Sequence, residues 1–273
     1  YTLIYYKLPV IQPLGITGNV IMFPVVIPWA YFCVISKLLH KSVYSSLYSY
    51  PRFTWQTVVH DQRRVSRHDI NDDFGKAVEI FLSLSDKYAD SPLYFNDAIE
   101  FASLWLGELA DRHYEKALKL GRNEKGREEL GKTVTILSDV DRLLASHPLH
   151  RLDRWIADAR NEGSSIEKDH REANAKRLIT TWGGWQEDYA ARFWSGLIKD
   201  YYIPRIEIHF SEKPEMMEEW KEEWINTPYH SNTKPFDSPL EVAKELKQMK
   251  SSTSGMAWIS RAAIIFTTLT LVA

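Results

Sequence analysis

The sequence predicts an all-α protein: an antiparallel helical bundle of about seven or eight helices, preceded by an apolar N-terminal segment that does not share the pattern. Three observations lead there. From Phe74 onward, apolar residues recur at spacings of three and four, the signature of helices with one buried face. No run alternates apolar and polar residues for long, as a half-buried strand would. The nearest is IEIHF at 206–210, and it reads as the end of a helix. The connections between periodic runs are short, which sets consecutive helices antiparallel.

The elements follow in order. KAVEIFLSLSDKY places Val78, Phe81 and Tyr88 on one side with Leu84 close by, and ADSP stops it, as Ser-Pro normally does. A long helix from about Asp97 carries Ile99, Leu106, Ala110, His113 and Ala117 in register and closes at Gly121. The next, from about Glu128, carries Leu130, Val134, Leu137, Asp141 and Leu144 and ends before His147-Pro148. Ser164 and Glu167 stand three apart ahead of an apolar face, the reciprocal capping pattern of a helix start. Residues 179–202, ITTWGGWQEDYAARFWSGLIKDYY, hold Tyr189, Phe193, Leu197 and Tyr201 four apart, with Trp194, Ile198 and Tyr202 as a parallel row. That pattern predicts one helix with a broad buried face. WGGW lies just before it, where Gly183 and Gly184 let the chain turn tightly and leave Trp182 and Trp185 outside regular packing. Pro214 opens a helix carrying Met217, Trp220 and Trp224, and Ser238-Pro239-Leu240-Glu241 opens the last, with proline at its first position.

Composition removes several function classes. A net charge of −2 gives no electrostatic case for nucleic acid, which would need clustered Lys and Arg. A single cysteine, Cys33, rules out an internal disulfide and a Cys-rich metal site. The common nucleophile, zincin, P-loop and dinucleotide motifs are absent. His147 and His150 are three apart, but Pro148 lies between them and no carboxylate pattern completes a metal site, so they read as surface histidines. The acids fall mainly on polar helix faces, as in EKDHRE and MMEEWKEEW, where solvent and i,i+4 partners account for them. No catalytic residue, cofactor or metal is assigned. On its own residues the chain does not read as a complete enzyme.

The two ends are apolar. Leu8 to Ser36 carries no charge, and its densest part approaches the length of a bilayer core, interrupted by Pro24 and Pro28. After SSTSG, the run AAIIFTTLTLVA has the layout of a glycolipid-anchor signal; a loosely docked terminal helix is the plainer reading. These segments leave membrane attachment open, through residues 8–36 or the tail. With it stands a rival reading, a membrane-tethered non-catalytic helical scaffold or interaction module. The chain starts at Tyr1 rather than Met, so a fragment or processed product is expected.

Three stretches in this order, DVDRLLASHPLHRLDRWIADAR (139–160), NAKRLITTWG (174–183) and DYAARFWSGLIKDYYIPR (188–205), resemble the C-terminal helical region of α-N-acetylglucosaminidases, glycoside hydrolase family 89. Weaker likeness extends to 76–117 and 236–250. The resemblance divides the chain into 1–73, an unassigned apolar segment and connector; 74–250, the helical domain; and 251–273, an apolar tail. It implies a three-part enzyme in which this domain packs beside a catalytic barrel. Such enzymes remove terminal α-linked N-acetylglucosamine from glycans, heparan sulfate in animal lysosomes, by a retaining mechanism with two glutamates. Neither glutamate belongs to the part present here. The implied partners are the barrel and a terminal N-acetylglucosamine, and the implied location is lysosomal or secreted. The family's helical domain lends a wall to the sugar pocket through a W-G…D-Y motif, matched here by Trp182 and Tyr189 with a shorter intervening loop. The IPR segment matches a YYxPRW pattern with Ile206 in place of the tryptophan, and Arg205 is expected to anchor the bend at Pro204. A domain that buries one flank against a barrel is expected to expose apolar surface when isolated.

Overall fold

The computed structural model describes residues 53–56, 72–181 and 192–251, except for the side chains of Asp72 and 248–251. Among these residues the protein is all-α, with nine α-helices and, in place of any sheet, one isolated bridge between Arg151 and Ser195. Helix α1 spans Asp72–Leu82 and a short α2 spans Ser85–Tyr88. The framework is α3, Pro92–Leu120, paired with α4, Glu124–Ala145. α3 begins at Pro92, earlier than its periodicity indicates, because the Ser91 side chain accepts the Tyr94 N–H and Pro92 occupies the first turn, where its missing donor costs nothing. It ends at Gly121, which takes φ 75°. After a connection of three residues Asn123 caps α4 by accepting the Gly126 N–H. Ala98, Ile99, Ala102, Leu106 and Ala110 of α3 face Ile136, Leu137, Val140 and Leu144 of α4 within one core. Small side chains on α3 let the two axes approach.

Helices α5, Leu152–Asn161, and α6, Lys168–Ile179, pack on each other as a hairpin and add Leu152, Ile156, Ala175 and Ile179 to the same core. The capping box expected at Ser164 and Glu167 is not made. A 3-10 turn, Ser165–Glu167, intervenes, the Ser164 side chain caps nothing, and its carbonyl accepts from the Arg171 guanidinium instead. Helix α7, Ile203–Phe210, follows a π-helical stretch, Ile198–Tyr202. Pro204 explains the wider turn: it cannot donate to the carbonyl four residues back, and the Ile203 N–H already reaches Ile198 O, five back. α8, Met217–Asn226, and α9, Pro239–Ser251, complete the set; α9 returns to pack on α1 and α3. The single helix expected through 189–202 does not exist over its described part. Residues 192–194 are irregular, Ser195 pairs with Arg151, and helical structure starts at Leu197 because Gly196 sits at φ +84°, a left-handed geometry no helix interior can hold.

Phe53–Gln56, placed by the sequence in the unassigned 1–73, is part of the core. Trp55 is wholly buried, stacks on Phe53 with centroids 5.0 Å apart and meets the Tyr202 ring edge-on at 5.3 Å. Its indole N–H donates to Gly107 O at 3.1 Å, and its backbone N–H to Asp111 Oδ1. Gly107 is what allows the seat: a Cβ there would press within 3.1 Å of the Phe53 ring. Arg205, also fully buried, donates to Gln56 O at 3.0 Å and lies over the Tyr201 ring. Its structural role is therefore to pin this N-terminal turn into the bundle.

Candidate functional site

Trp182 and Tyr189 lie outside the described residues, as do WGGW, Cys33, residues 8–36 and the C-terminal tail. What the structure shows is the stem on which the 182–191 segment is mounted. Its entry is the end of α6, where Thr180 donates its hydroxyl to Lys176 O. Its exit is 192–196, and every residue of that exit is tied down by hydrogen bonds or ring contacts with other elements, Phe193 by the Phe53 and Trp55 rings. Tyr202 donates its hydroxyl to Arg192 O at 2.8 Å. The Trp194 ring lies 5.9 Å from that of Trp155, whose indole N–H is fixed on Ala175 O. Ser195 takes two bonds across to the start of α5: its N–H donates to His150 O, and its carbonyl accepts the Leu152 N–H.

Gly196 is the pivot. Its N–H donates to Asp141 Oδ1 at 2.7 Å, the Lys199 N–H reaches the same oxygen at 3.3 Å, and Thr233 Oγ1 donates to Oδ2 at 2.7 Å. Asp141 thus caps the π-helical start from another helix. Its carboxyl is pushed up to about 6: burial is the largest cause, the three neutral donors offset part of the rise, and nearby Asp200 adds to it. Asp200 is itself raised, first by burial. The Tyr229 hydroxyl packs over Gly196 where a Cβ would collide with it.

A second polar cluster secures the same region from below. Glu172 on α6 is almost fully buried and accepts from the Tyr229 N–H, Lys176 Nζ and Arg160. Burial opposes its charge, but those donors hold its carboxyl below the usual range. The Lys176 ammonium also reaches the carbonyls of Trp224 and Thr227. The EKDHRE segment therefore does not lie wholly in solvent as its composition implies, because one of its acids is the centre of a buried network.

The expectation of surface histidines at 147 and 150 is also corrected. His147 is fully buried, the two imidazoles stack with centroids 4.1 Å apart, and Glu100 of α3 approaches, so three possible ligand atoms lie within 4.8 Å of one another. The carboxylate missing from the local pattern comes from a distant helix. The group nevertheless does not fit a cation. His147 Nδ1 accepts the Leu149 N–H at 3.2 Å, which assigns the ring proton to Nε2, facing Glu100 Oε2 at 3.9 Å. A ligating imidazole needs the opposite arrangement, with its outer nitrogen donating.

Two other buried acids are committed to structure. Asp111 holds Trp55 and Thr54, and Glu129 gathers His113, Lys116 and Lys132. Burial would raise Glu129, but those three donors bring it down to about 2. Sequence reasoning missed Asp141 and Glu172 as junctions. The available signal was an acid placed in register with apolar residues, as in VDRLL.

Leu149, Trp155, Ile166 and Leu178 are exposed apolar side chains, all from the α5–α6 hairpin and its flanks. Among the described residues no helix is long and apolar enough to cross a membrane. Residues 36–257 match the family model for the C-terminal domain of alpha-N-acetylglucosaminidase (NAGLU), starting upstream of Phe74. Human alpha-N-acetylglucosaminidase is 29% identical over 140 residues, covering 49% of this chain and 19% of the human protein. A family 89 glycoside hydrolase from Clostridium perfringens, solved in complex with PUGNAc, superposes with a TM-score of 0.59 at 27% identity, over 68% of this chain and 24% of that one. The Clostridium perfringens protein solved with its substrate GlcNAc-α-1,4-galactose gives a TM-score of 0.55 at 26% identity, over 65% and 23%. The chain thus spans about a fifth to a quarter of the length of these relatives.

Proposed function

The chain belongs to the family of α-N-acetylglucosaminidase C-terminal domains, and from that premise we propose that it is the helical part of a glycoside hydrolase that removes terminal α-linked N-acetylglucosamine from heparan-sulfate-type glycans. In this reading residues 74–250, with Phe53–Gln56 packed into them, brace a catalytic barrel. The barrel supplies the two reacting glutamates from outside these 273 residues. Trp182 and Tyr189 line part of the sugar pocket, the indole offering a flat apolar wall to the C–H face of the pyranose. The location is lysosomal or secreted.

The observation that carries the proposal is the family match over 36–257 together with the superposition on a family 89 hydrolase. Two features support the finer parts. The 182–191 segment is mounted on a stem locked by Tyr202, Asp141 and the Arg151–Ser195 bridge, and a contact residue is useful only if its backbone is fixed. The exposed Leu149, Trp155, Ile166 and Leu178 supply apolar area for a large partner.

The test is an assay with an aryl α-N-acetylglucosaminide. The 273-residue chain alone should give no turnover, and mixing it with the barrel of its parent protein should restore turnover. Trp182→Ala in the reconstituted enzyme should raise KM about tenfold or more, the loss of one stacking contact. Turnover by the repurified chain alone would overturn the assignment of the acids to the barrel. An unchanged KM in the Trp182→Ala enzyme would remove that residue from the pocket.

A further inference from the structure

Three separate parts of the chain meet at a notch in α3. Gly107 has no side chain, and the Phe53 and Phe193 rings fill the space beside it, coming within 3.1 and 3.2 Å of where a Cβ would stand. Phe53 belongs to the N-terminal turn and Phe193 to the exit of the 182–191 segment, and their ring centroids are 5.6 Å apart. Trp55 closes the group, 5.0 Å from Phe53, 5.9 Å from Phe193 and 5.3 Å from Tyr202. Its own place is fixed without the stem. The indole N–H donates to Gly107 O, the Trp55 N–H and the Thr54 hydroxyl donate to the two oxygens of Asp111, and Gln56 O accepts from Arg205 of α7.

The stem depends on the turn instead. Residues 192–194 belong to no regular element, so side-chain contacts position them. Arg192 O accepts the Tyr202 hydroxyl, Phe193 meets Phe53 and Trp55, and Trp194 meets Trp155. Two of these three ties lead to Trp55, one through the Phe193 ring and the other through Tyr202. The Trp55 side chain is wholly buried, so any effect it has on a bound sugar passes through the stem.

We propose that Trp55 is a positioning residue: wedged between α3 and the stem, it sets where Arg192 and Phe193 sit, and with them the backbone that carries the candidate sugar contacts. The link to sugar rests on placing Trp182 and Tyr189 in the pocket; the setting of the stem does not. A phenyl ring in place of the indole leaves a gap beside Phe193 and Tyr202 and removes the N–H held on Gly107 O. A close-packed interior passes such a gap on to its neighbours, and a contact residue tolerates little displacement of its backbone. Destabilisation alone has a different signature. It lowers the amount of active enzyme and leaves KM where it was.

The test compares wild type with Trp55→Phe, which keeps an aromatic ring in the site. Amide hydrogen exchange on the 273-residue chain is read at Ser195 and Gly196, whose N–H groups donate to His150 O and Asp141 Oδ1. The buried Leu137 and Val140 of α4 report global unfolding. In Trp55→Phe the Ser195 and Gly196 amides should open about tenfold more, while still exchanging faster than Leu137 and Val140, which marks a local event. Unchanged opening at the two amides, or exchange only together with Leu137 and Val140, overturns the wedge. In the reconstituted enzyme Trp55→Phe should raise KM about threefold at unchanged kcat, and should add nothing to the effect of Trp182→Ala, because both act on one contact. If Trp182→Ala raises KM but Trp55→Phe does not, or if the two effects add in full, the link to the sugar is overturned. If Trp182→Ala leaves KM unchanged, the sugar assignment itself falls, and exchange at Ser195 and Gly196 decides the wedge alone.

Discussion

Replacing Trp55 by alanine tests whether the N-terminal turn belongs to the domain. The side chain is wholly buried between Phe53, Phe193 and Tyr202, with its N–H on Gly107 O. A buried indole removes about 200 Å² from water, which at about 25 cal/mol per Å² is worth about 5 kcal/mol. A compact unfolded chain reduces that figure, while the lost hydrogen bond adds about 1 kcal/mol. The net expectation for Trp55→Ala is a loss of about 3–5 kcal/mol. For a domain of this size that corresponds to a fall of about 10 °C in Tm. Urea unfolding followed by far-ultraviolet circular dichroism measures it, because nine other tryptophans confuse a fluorescence signal. Trp55→Phe should lose less than half as much. Trp55→Ala and Phe53→Ala should not add, since the two rings are stacked. A chain starting at Phe74 should be no more stable than Trp55→Ala. If Trp55→Ala unfolds within about 0.5 kcal/mol of the parent, the usual range for an uninvolved surface site, then the turn is not core.

Two further outcomes follow from the packing. Gly196→Ala should destabilise by about 2–4 kcal/mol, combining a left-handed φ with a collision at the Tyr229 hydroxyl; in a Tyr229→Phe background thermal melts should show a clearly smaller cost. Glu129, with its carboxyl held down to about 2, contributes stability that is present above about pH 4.5 and lost as pH falls through 2. Glu129→Gln should therefore lose on the order of 2 kcal/mol at pH 6, discounted because Lys116 is exposed, and should show a flatter acid limb in urea midpoints measured from pH 5 to pH 2.5.

Much of the helical framework was legible in the sequence. The stop at Gly121, the end before His147-Pro148, the start at Pro239 and the helical nature of IEIHF all stand in the structure. The errors have a common form. One helix was expected through 189–202 because Phe193, Leu197 and Tyr201 keep a spacing of four, yet Ser195 bonds to His150 and Leu152, and Gly196 breaks the helical geometry. Ser164 and Glu167 have the spacing of a capping box, but Arg171 claims the Ser164 carbonyl. His147, Asp141 and Glu172 look like ordinary polar residues until partners from other helices surround them. Of the candidate sugar contacts, Trp182 and Tyr189, only the mounting at 192–196 enters the described structure.

The sequence by itself determined the class and the order of the helices. A helix closes its hydrogen bonds four residues back and shows its buried face every three or four positions, so both signals lie within a few residues of each other. Tertiary structure alone decided which polar groups went inside and what they do there. Asp141 finds Gly196 at a separation of 55 residues, Glu172 finds Tyr229 at 57, and Arg205 finds Gln56 at 149. Burial turns each of those acids and bases from a solvated charge into a joint, and no local pattern encodes a partner that only packing brings near.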